Sequence, residues 1–245
     1  MFLDIWKVFV FVVTTTYITA EIPSYIHVCG RKDLNYDQCI AENIKNVKDK
    51  ICTGFSEFNI PPNEPLMFDK IVIFDTNDLK LYLKDTNIYG FCDLVVNSVQ
   101  ADSERLHFDV EVLFRHLYLN TTYDFDIRLL VHVANKGRIE SVTENVRMKT
   151  GIDLKTITKN GKKHIFSSKV NSVLHIKSFT YKFNDDSKEL TQLHTILNDV
   201  ILNNEKEVIY AMQSVIEEKV SKIIISIFNN IARFNSYEQL FPVET

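Results

Sequence analysis

Hydrophobic residues alternate with polar ones through the middle of the chain. Between Leu66 and Phe183, apolar side chains recur at every second position in a series of runs. The runs are Ile71/Ile73, Leu79/Leu81/Leu83, Leu106/Phe108/Val110/Val112/Phe114, Tyr123/Phe125/Ile127/Leu129/Val131/Val133, the less regular Ile139/Val142, Val146/Met148 and Ile152/Leu154, and Val173/His175/Lys177/Phe179/Tyr181/Phe183. Strands of this kind bury one face and leave the other in water, which is typical of an antiparallel sheet. Asn160-Gly161 predicts a tight hairpin turn, and Lys136-Gly137 predicts a weaker one.

Helical spacing replaces this alternation on both sides of the strand region. The pattern predicts a first helix over residues 37–52, ended by Gly54, and two more over residues 189–202 and 205–234. The last of these would be about 45 Å long at the helical rise. Its apolar stripe is Ile209, Met212, Ile216, Val220, Ile223, Ile227, Ile231 and Phe234, and its polar face carries Glu207, Gln213, Glu217, Lys222 and Asn229.

A helix that is apolar along its whole length needs an equally long surface to cover it. Only the strand region offers such a surface. The sequence therefore predicts an α+β fold in which a strongly curved antiparallel β-sheet wraps a long C-terminal α-helix. The chain has six glycines, no repeat and no flexible linker, so residues 21–245 are predicted to form a single domain.

The first twenty residues have the layout of a secretory leader. Lys7 precedes the apolar run Val8–Val13, and small polar residues lead to Ala20, where cleavage is predicted. Residues 1–20 are therefore predicted to be a signal peptide and the protein to be secreted and extracellular. The alternative is an uncleaved N-terminal anchor, although the apolar run is shorter than the ~20 residues of a membrane-spanning helix.

The four cysteines behind this leader predict disulfide bonds, because an even number in an oxidising compartment favours pairing. Cys29 and Cys39 lie on either side of a turn, and a bond between them would hold the start of the chain against the first helix. Two alternatives remain open for Cys52 and Cys92: they pair, or they stay as buried thiols that pack like small apolar residues.

Short islands along the chain match motifs of a known family. They are Pro23-Ser-Tyr-Ile-His-Val-Cys29, Cys39-Ile-Ala-Glu-Asn-Ile44, the stretch Gly54–Leu66 with its Glu-Pro-Leu, Asn87-Ile-Tyr-Gly90 and Leu240-Phe-Pro242. Their order and spacing resemble the insect takeout and juvenile-hormone-binding protein family, from whose pattern Cys52 and Cys92 depart. The resemblance implies a super-roll (a TULIP-like half-module) around the long helix, with a hydrophobic ligand tunnel between helix and sheet. It also implies a secreted haemolymph carrier, linked to hormone transport or to circadian or feeding physiology.

Composition and motifs argue against several other functions. A net charge of −4 does not provide the basic surface that nucleic acid requires. No glycine-rich phosphate loop, Gly-x-Ser-x-Gly elbow or His-x-x-x-His pair occurs, so we expect no enzyme activity, no cofactor and no metal site. Asp109 and Glu111 share one strand face, which we interpret as a solvated face. Asn120-Thr-Thr122 is a predicted N-glycosylation site.

The leading hypothesis is a carrier that binds a small hydrophobic ligand, such as a terpenoid, a fatty acid or a similar lipid. The candidate ligand-binding residues are Met212, Ile216, Val220 and Ile223 on the long helix, Phe108, Val110, Phe125 and Ile127 on the strands, and Tyr123 as a polar contact. The choice of strand residues depends on the register, because a slip of one position turns every side chain of a strand to the other face.

Two other hypotheses stay open. The protein could be a secreted interaction protein with a filled core, acting on a receptor through its surface, or an enzyme for hydrophobic esters that lacks a recognisable nucleophile motif. We expect a monomer that delivers its ligand to a receptor or to a membrane. The basic hairpin tip Lys159–His164 is a candidate for weak contact with an anionic membrane.

Overall fold

The structure, a computed structural model, describes residues 22–128, 132–184 and 191–245. The predicted signal peptide lies outside the described residues. The elements are α1 (Tyr36–Thr53), a 3₁₀ turn (Ser56–Phe58), β1 (Leu66–Asp75), β2 (Leu79–Tyr89), β3 (Leu94–Asp102), β4 (His107–Arg128), β5 (His132–Lys159), β6 (Lys162–His175), β7 (Thr180–Phe183), α2 (Thr191–Asn203), α3 (Glu205–Ala232) and α4 (Tyr237–Leu240).

The strands form one antiparallel sheet in the order β1-β2-β4-β5-β6. Strand β3 pairs with the first part of β4, and β7 pairs with residues 139–142 in the first half of β5. Strands β4 and β5 have 22 and 28 residues, so they run through the whole sheet and accumulate a large twist. The predicted α+β fold, with a long C-terminal helix wrapped by a strongly curved antiparallel sheet, is confirmed.

Helix α3 is fixed along β6, which is an edge of the sheet. Polar side chains of the helix bond to backbone groups that the edge strand would otherwise leave unpaired. Glu217, Ser221 and Asn229 accept the N–H groups of Leu174 (2.7 Å), Ser172 (3.1 Å) and Ser167 (2.7 Å), and Gln213 donates to the carbonyl of Leu174 (2.6 Å). These bonds cover an edge that could otherwise pair with another chain.

Inward and outward positions exchange places halfway along β4 and β5. In β4, even-numbered residues such as Phe114 point inward before this point, and odd-numbered residues such as Leu117 point inward after it. At the exchange, Arg115 and His116 are both exposed, and so are Glu144, the β5 partner of His116, and the next residue, Asn145. Asn145 has a positive φ of 54° there. The two alternating runs on either side of this exchange, which the sequence pattern predicts separately, belong to one long strand in the structure.

The inner face of the sheet carries adjoining hydrophobic clusters. One is centred on Phe114, Val146 and Ile216, and the next on Phe125, Leu197 and Ile201. Two further clusters lie towards the other end of α3, one around Phe108, Leu154 and Tyr237 and one around Phe55, Phe58 and Ile60. The first two clusters meet where α2 and α3 cross the sheet.

Two disulfide bonds fix the N-terminal part of the chain. Cys29 is bonded to Cys39, as predicted, with 5.9 Å between the Cα atoms. Cys52 is bonded to Cys92 at 6.0 Å, so of the two alternatives for this pair the structure contains the bond. Beside the second bond, Glu64 accepts the backbone N–H groups of Gly90 (2.6 Å) and Cys92 (3.2 Å). The end of α1 is thereby attached to the turn between β2 and β3.

The Asn160-Gly161 turn is present between β5 and β6, where Lys159 pairs with Lys162. The prediction of a weaker turn at Lys136-Gly137 is wrong, because Gly137 lies inside β5 opposite Tyr123. A Cβ atom at Gly137 would lie 2.7 Å from the Tyr123 hydroxyl oxygen and 2.8 Å from two ring carbons. Gly137 therefore leaves room for the buried ring of Tyr123, and it does not form a turn.

Substituting Gly137→Ala is expected to destabilise the protein by roughly 1–3 kcal/mol, the usual cost of overpacking a buried position. Gly151→Ala is the matched control on the same strand, because its Cβ would meet only ordinary contacts at 3.5 and 3.6 Å. Chemical denaturation of both variants measures the difference. Equal stability of the two variants would show that the Tyr123 ring does not require a glycine opposite it.

Candidate functional site

An apolar cavity of about 100 Å³ lies between the sheet and helices α2 and α3. It is located where the two clusters around Phe114 and Phe125 meet. A larger groove of about 510 Å³ crosses the outer face of the sheet, and its lining mixes tyrosine rings with polar and charged side chains such as Glu140 and Lys182. The cavity between the sheet and the helices is the better candidate for holding a hydrophobic molecule, because the described residues of its lining include no charged residue and ligand sites are concave and mostly apolar.

The strand wall of the cavity is built from residues at alternate positions, which share the inner face. Strand β4 contributes a continuous series from Leu117 to Tyr123, and β5 contributes the facing series from Ile139 to Thr143. The strand residues and the segment beyond β6 that line the cavity are Ile73, Leu81, Leu83, Ile88, Leu117, Leu119, Thr121, Tyr123, Ile139, Ser141, Thr143, Ile176, Phe179 and Tyr181.

The helical wall follows the spacing of successive turns. Helix α3 contributes Val208, Ile209, Met212 and Ile216, and α2 contributes Leu197 and Ile201. Because residues four apart lie on one face of a helix, a single stripe of α3 runs along the cavity. The described residues that line the cavity include no aspartate, glutamate, lysine, arginine or histidine.

The hydroxyl groups in the wall already have partners within the protein. Ser141 donates to the carbonyl of Thr180 (2.9 Å), Thr143 to that of Ser178 (2.7 Å), and Thr121 to that of Lys84 (2.9 Å). Tyr181 donates to the side-chain oxygen of Asn198 (2.6 Å), and burial raises the pKa of Tyr181, so its phenol stays protonated. A ligand therefore meets a wall that is apolar in effect, although it contains several polar residue types.

Tyr123 is almost completely buried, and its hydroxyl lies 3.4 Å from His194 Nε2 on α2. The His194 ring is stacked on Phe183, with ring centroids 4.3 Å apart and nearly parallel planes. The Tyr123 ring also meets Phe183 edge-on at 5.6 Å. Tyr123 therefore connects the cavity wall to an aromatic group formed with Phe183 and His194.

Of the predicted ligand-binding residues, Tyr123, Met212 and Ile216 line this cavity. The other six point into the core but lie elsewhere. Phe125 and Ile127 pack in the cluster beside the cavity, Val110, Val220 and Ile223 pack in the cluster around Phe114, and Phe108 lies farther off, against Tyr36 and Phe241. Most of the remaining six therefore fill the core on either side of the cavity.

The lining residues that sequence reasoning missed on β4 are Leu117, Leu119 and Thr121. They continue the alternation of Tyr123 towards the N-terminus, which is the signal that could have found them. Thr121 interrupts the apolar series, yet it is buried because its hydroxyl also lies 2.7 Å from that of Thr86. On α2 and α3, Leu197, Ile201 and Val208 also line the cavity at helical spacing, but they were not among the predicted ligand-binding residues.

One group of potential metal ligands occurs within the described ranges, formed by Cys52, Glu64 and Cys92. Both sulfur atoms are joined in the disulfide, and metal coordination by cysteine requires a thiolate. The group therefore does not fit a metal ion in the oxidised protein. No helix among the described residues is long and apolar enough to cross a membrane.

The carboxylates of the outer strand face take part in ordinary surface pairs. Glu111 is paired with Lys149 at 3.5 Å. Asp109 and Asp153 lie on either side of His107, whose Nδ1 is 2.6 Å from Asp153 and whose Nε2 is 3.2 Å from Asp109. The bond to Asp153, with a smaller contribution from Asp109, raises the pKa of His107 above its usual value.

His107 is expected to stabilise the protein more in acid than in base. A histidine whose pKa is raised on folding contributes fully below its unfolded pKa, and the contribution is lost as pH rises through the folded value. The thermal midpoint of His107→Gln should therefore fall below that of the unsubstituted protein at pH 5.5 and approach it at pH 8.5. The same pH series with His164→Gln, at the hairpin tip, is the control. A gap that widens towards pH 8.5 would contradict the expectation.

Comparison with known proteins adds to this geometry. Residues 8–242 match the family model described as haemolymph juvenile hormone binding protein (JHBP). The crystal structure of Epiphyas postvittana Takeout 1 is similar at a TM-score of 0.68 and 16% identity, covering 87% of this chain and 98% of that one, which shows a shared fold. Lipopolysaccharide binding protein matches at a TM-score of 0.43 and 11% identity, over 68% of this chain and 34% of that one. A search of curated proteins finds no match.

Proposed function

The chain belongs to the haemolymph juvenile hormone binding protein family, and from this premise we propose that it is a secreted carrier that binds a small hydrophobic ligand in its internal cavity. The ligand class is a terpenoid hormone, a fatty acid or a similar lipid. The observation that carries the proposal is the apolar cavity between α2, α3 and the sheet, whose wall hydroxyls donate to protein oxygen atoms.

Binding by such a cavity needs no charged anchor. Each methylene group removed from water contributes about 0.8 kcal/mol, so a chain of several carbons supplies a useful affinity through burial alone. A volume of about 100 Å³ suits a slender alkyl or isoprenoid chain better than a rigid ring system. The polar end of such a ligand would lie near Tyr123, which lines the cavity and whose hydroxyl lies 3.4 Å from His194 Nε2.

The proposed site of action is outside the cell. The signal-peptide layout of residues 1–20 and the two disulfide bonds support export through an oxidising compartment. Delivery would involve a receptor or a membrane, for which the hairpin between β5 and β6 offers the exposed residues Lys159 and Lys162. Participation in circadian or feeding physiology is a further part of the proposal and rests on the takeout resemblance.

Native mass spectrometry of the secreted protein tests the proposal directly. We expect a discrete added mass that is removed by organic extraction and that returns on incubation with fatty acids or terpenoids. A protein that shows only its bare mass, before and after incubation with both panels, would overturn the carrier function.

The second candidate function is an interaction protein with a filled core. The observation that favours it is the cavity volume, which is below the roughly 300–1,000 Å³ of common small-molecule sites. In that case the surface, rather than the cavity, would contact a receptor. The bare mass described above is the result that this alternative predicts.

A further inference from the structure

The groove on the outer face of the sheet surrounds the predicted glycosylation site. It crosses strands β2, β4, β5 and β7 with a volume of about 510 Å³. Asn120 lies in a row of opposed residues, between Asn87 on β2 and Glu140 on β5. Its side chain is exposed. Thr122, two positions further on, completes the Asn-x-Thr acceptor sequence.

Two exposed tyrosine rings lie next to Asn120 on the same face. Tyr118 is two positions before it on β4, about 7 Å along the strand, and Tyr89 is the diagonal neighbour on β2, at about 7–8 Å. Tyr118 and Tyr89 are 51% and 43% exposed, so both rings are accessible to a group attached at Asn120. The imidazole of His116 is stacked against Tyr118, with centroids 6.3 Å apart, and supports the ring from the side away from Asn120.

We propose that Asn120 carries an N-linked glycan whose first N-acetylglucosamine folds back onto Tyr118 and Tyr89 in this groove and stabilises the sheet. Attachment forms a bond between Asn120 Nδ2 and C1 of the sugar, breaks the bond from C1 to the pyrophosphate of a lipid-linked oligosaccharide, and releases one amide proton. The C–H face of the sugar then packs on the tyrosine rings. The proposal rests on the secretory route of the proposed function and not on the ligand.

The groove has the chemistry of a sugar site of low intrinsic affinity. Tyrosine supplies a rigid apolar surface with a polar tip. The far side of the groove is polar, with Glu140 bonded to Lys182 at 3.0 Å and to the side-chain amide of Asn184 at 2.7 Å. These fixed polar groups can exchange hydrogen bonds with sugar hydroxyls, while the tyrosines take the apolar ring face.

Covalent attachment is what makes so shallow a site effective. A free sugar would bind an open groove weakly, because it loses its translational freedom on binding. A sugar tethered to Asn120 is held beside Tyr118 at an effective concentration in the millimolar range or above. Docking then contributes to the stability of the folded sheet, because the groove exists only when β2, β4, β5 and β7 are paired.

The test uses the chain behind a heterologous signal peptide in eukaryotic cells, so that the efficiency of its own leader does not affect the result. Intact mass gives the occupancy of Asn120. The glycan is then trimmed to a single N-acetylglucosamine, and the thermal midpoint is compared with that of Asn120→Gln. The same pair is measured with Tyr118→Ala and, as a control for loss of an exposed tyrosine, with Tyr210→Ala on α3, which is 74% exposed.

We expect an occupied Asn120 and a midpoint about 2–4 °C higher with the sugar than without it. This gain should disappear in Tyr118→Ala and persist in Tyr210→Ala. In NMR spectra, the sugar ring protons should shift upfield only when Tyr118 is present. An unoccupied Asn120, or a gain that is equal with and without Tyr118, would overturn the proposal. Ligand mass measured on the same samples reports separately on the carrier function.

Discussion

Removing the Cys52–Cys92 disulfide is expected to lower the free energy of unfolding by about 4 kcal/mol, more than removal of any other cross-link in the described part of the chain. A disulfide restricts the unfolded chain, and the effect grows with the length of the loop that it closes. This bond joins residues 40 apart, whereas Cys29–Cys39 joins residues 10 apart and should contribute about 3 kcal/mol by the same relation. Denaturant unfolding of the double alanine variants, without reductant, gives both values.

The Cys29–Cys39 double variant is also the control for the chemistry of the substitution, because both variants lose one bond between Cα atoms about 6 Å apart. Glu64→Gln is the control for the neighbouring contacts, since Glu64 bonds to the backbone of Gly90 and Cys92 independently of the sulfur atoms. If Cys52→Ala/Cys92→Ala proves no less stable than Cys29→Ala/Cys39→Ala, loop length does not determine the stabilisation in this chain.

The helices could be predicted closely because their signals are local. The expected helix 37–52 is observed as Tyr36–Thr53, and the expected helix 205–234 as Glu205–Ala232. In each case an apolar stripe of helical period continues without glycine or proline. The long apolar stripe of α3 must be covered by an equally long surface, and only the strand region could provide one. This argument predicted that the sheet wraps the helix.

The path of the long strands could not be predicted, because it depends on contacts between distant residues. Arg115 and His116 both face outward, which separates two alternating runs that the structure joins in β4. Gly137 resembles a turn residue in sequence but lies opposite the Tyr123 ring. Polar residues of α3 such as Gln213 and Glu217 resemble a solvated face, although both bond to the edge strand β6.

The position of the cavity was harder to predict than the fold for a related reason. A filled core and a hollow one have the same periodicity, and the difference lies in how side chains from distant elements pack. Thr121 and Ser141 line the cavity because β4 and β5 place them on the inner face, where their hydroxyls bond to protein oxygens. Thr121 is marked in the sequence only by its place in the alternation of Leu117, Leu119 and Tyr123, and Ser141 has no comparable local signal.

Filling the cavity by Met212→Trp is expected to lower the affinity for a long-chain ligand by about 200-fold. Met212 lies on α3, lines the cavity and packs against both adjoining clusters. An indole ring there would exclude about four methylene groups of the ligand, at about 0.8 kcal/mol each, and tenfold in affinity corresponds to 1.4 kcal/mol. Displacement of a fluorescent fatty acid measures the change.

Two controls separate blockage from damage to the fold. Met212→Leu nearly conserves volume and should retain binding, at a cost in stability below about 1.5 kcal/mol. Val72→Trp places a new indole at an exposed position of β1 and should also bind normally. Met212→Ala should have the opposite effect on volume and accept bulkier ligands, while losing roughly 2–5 kcal/mol of stability. If Met212→Trp binds the fatty acid as tightly as Met212→Leu, the ligand does not occupy the space between α3 and the sheet.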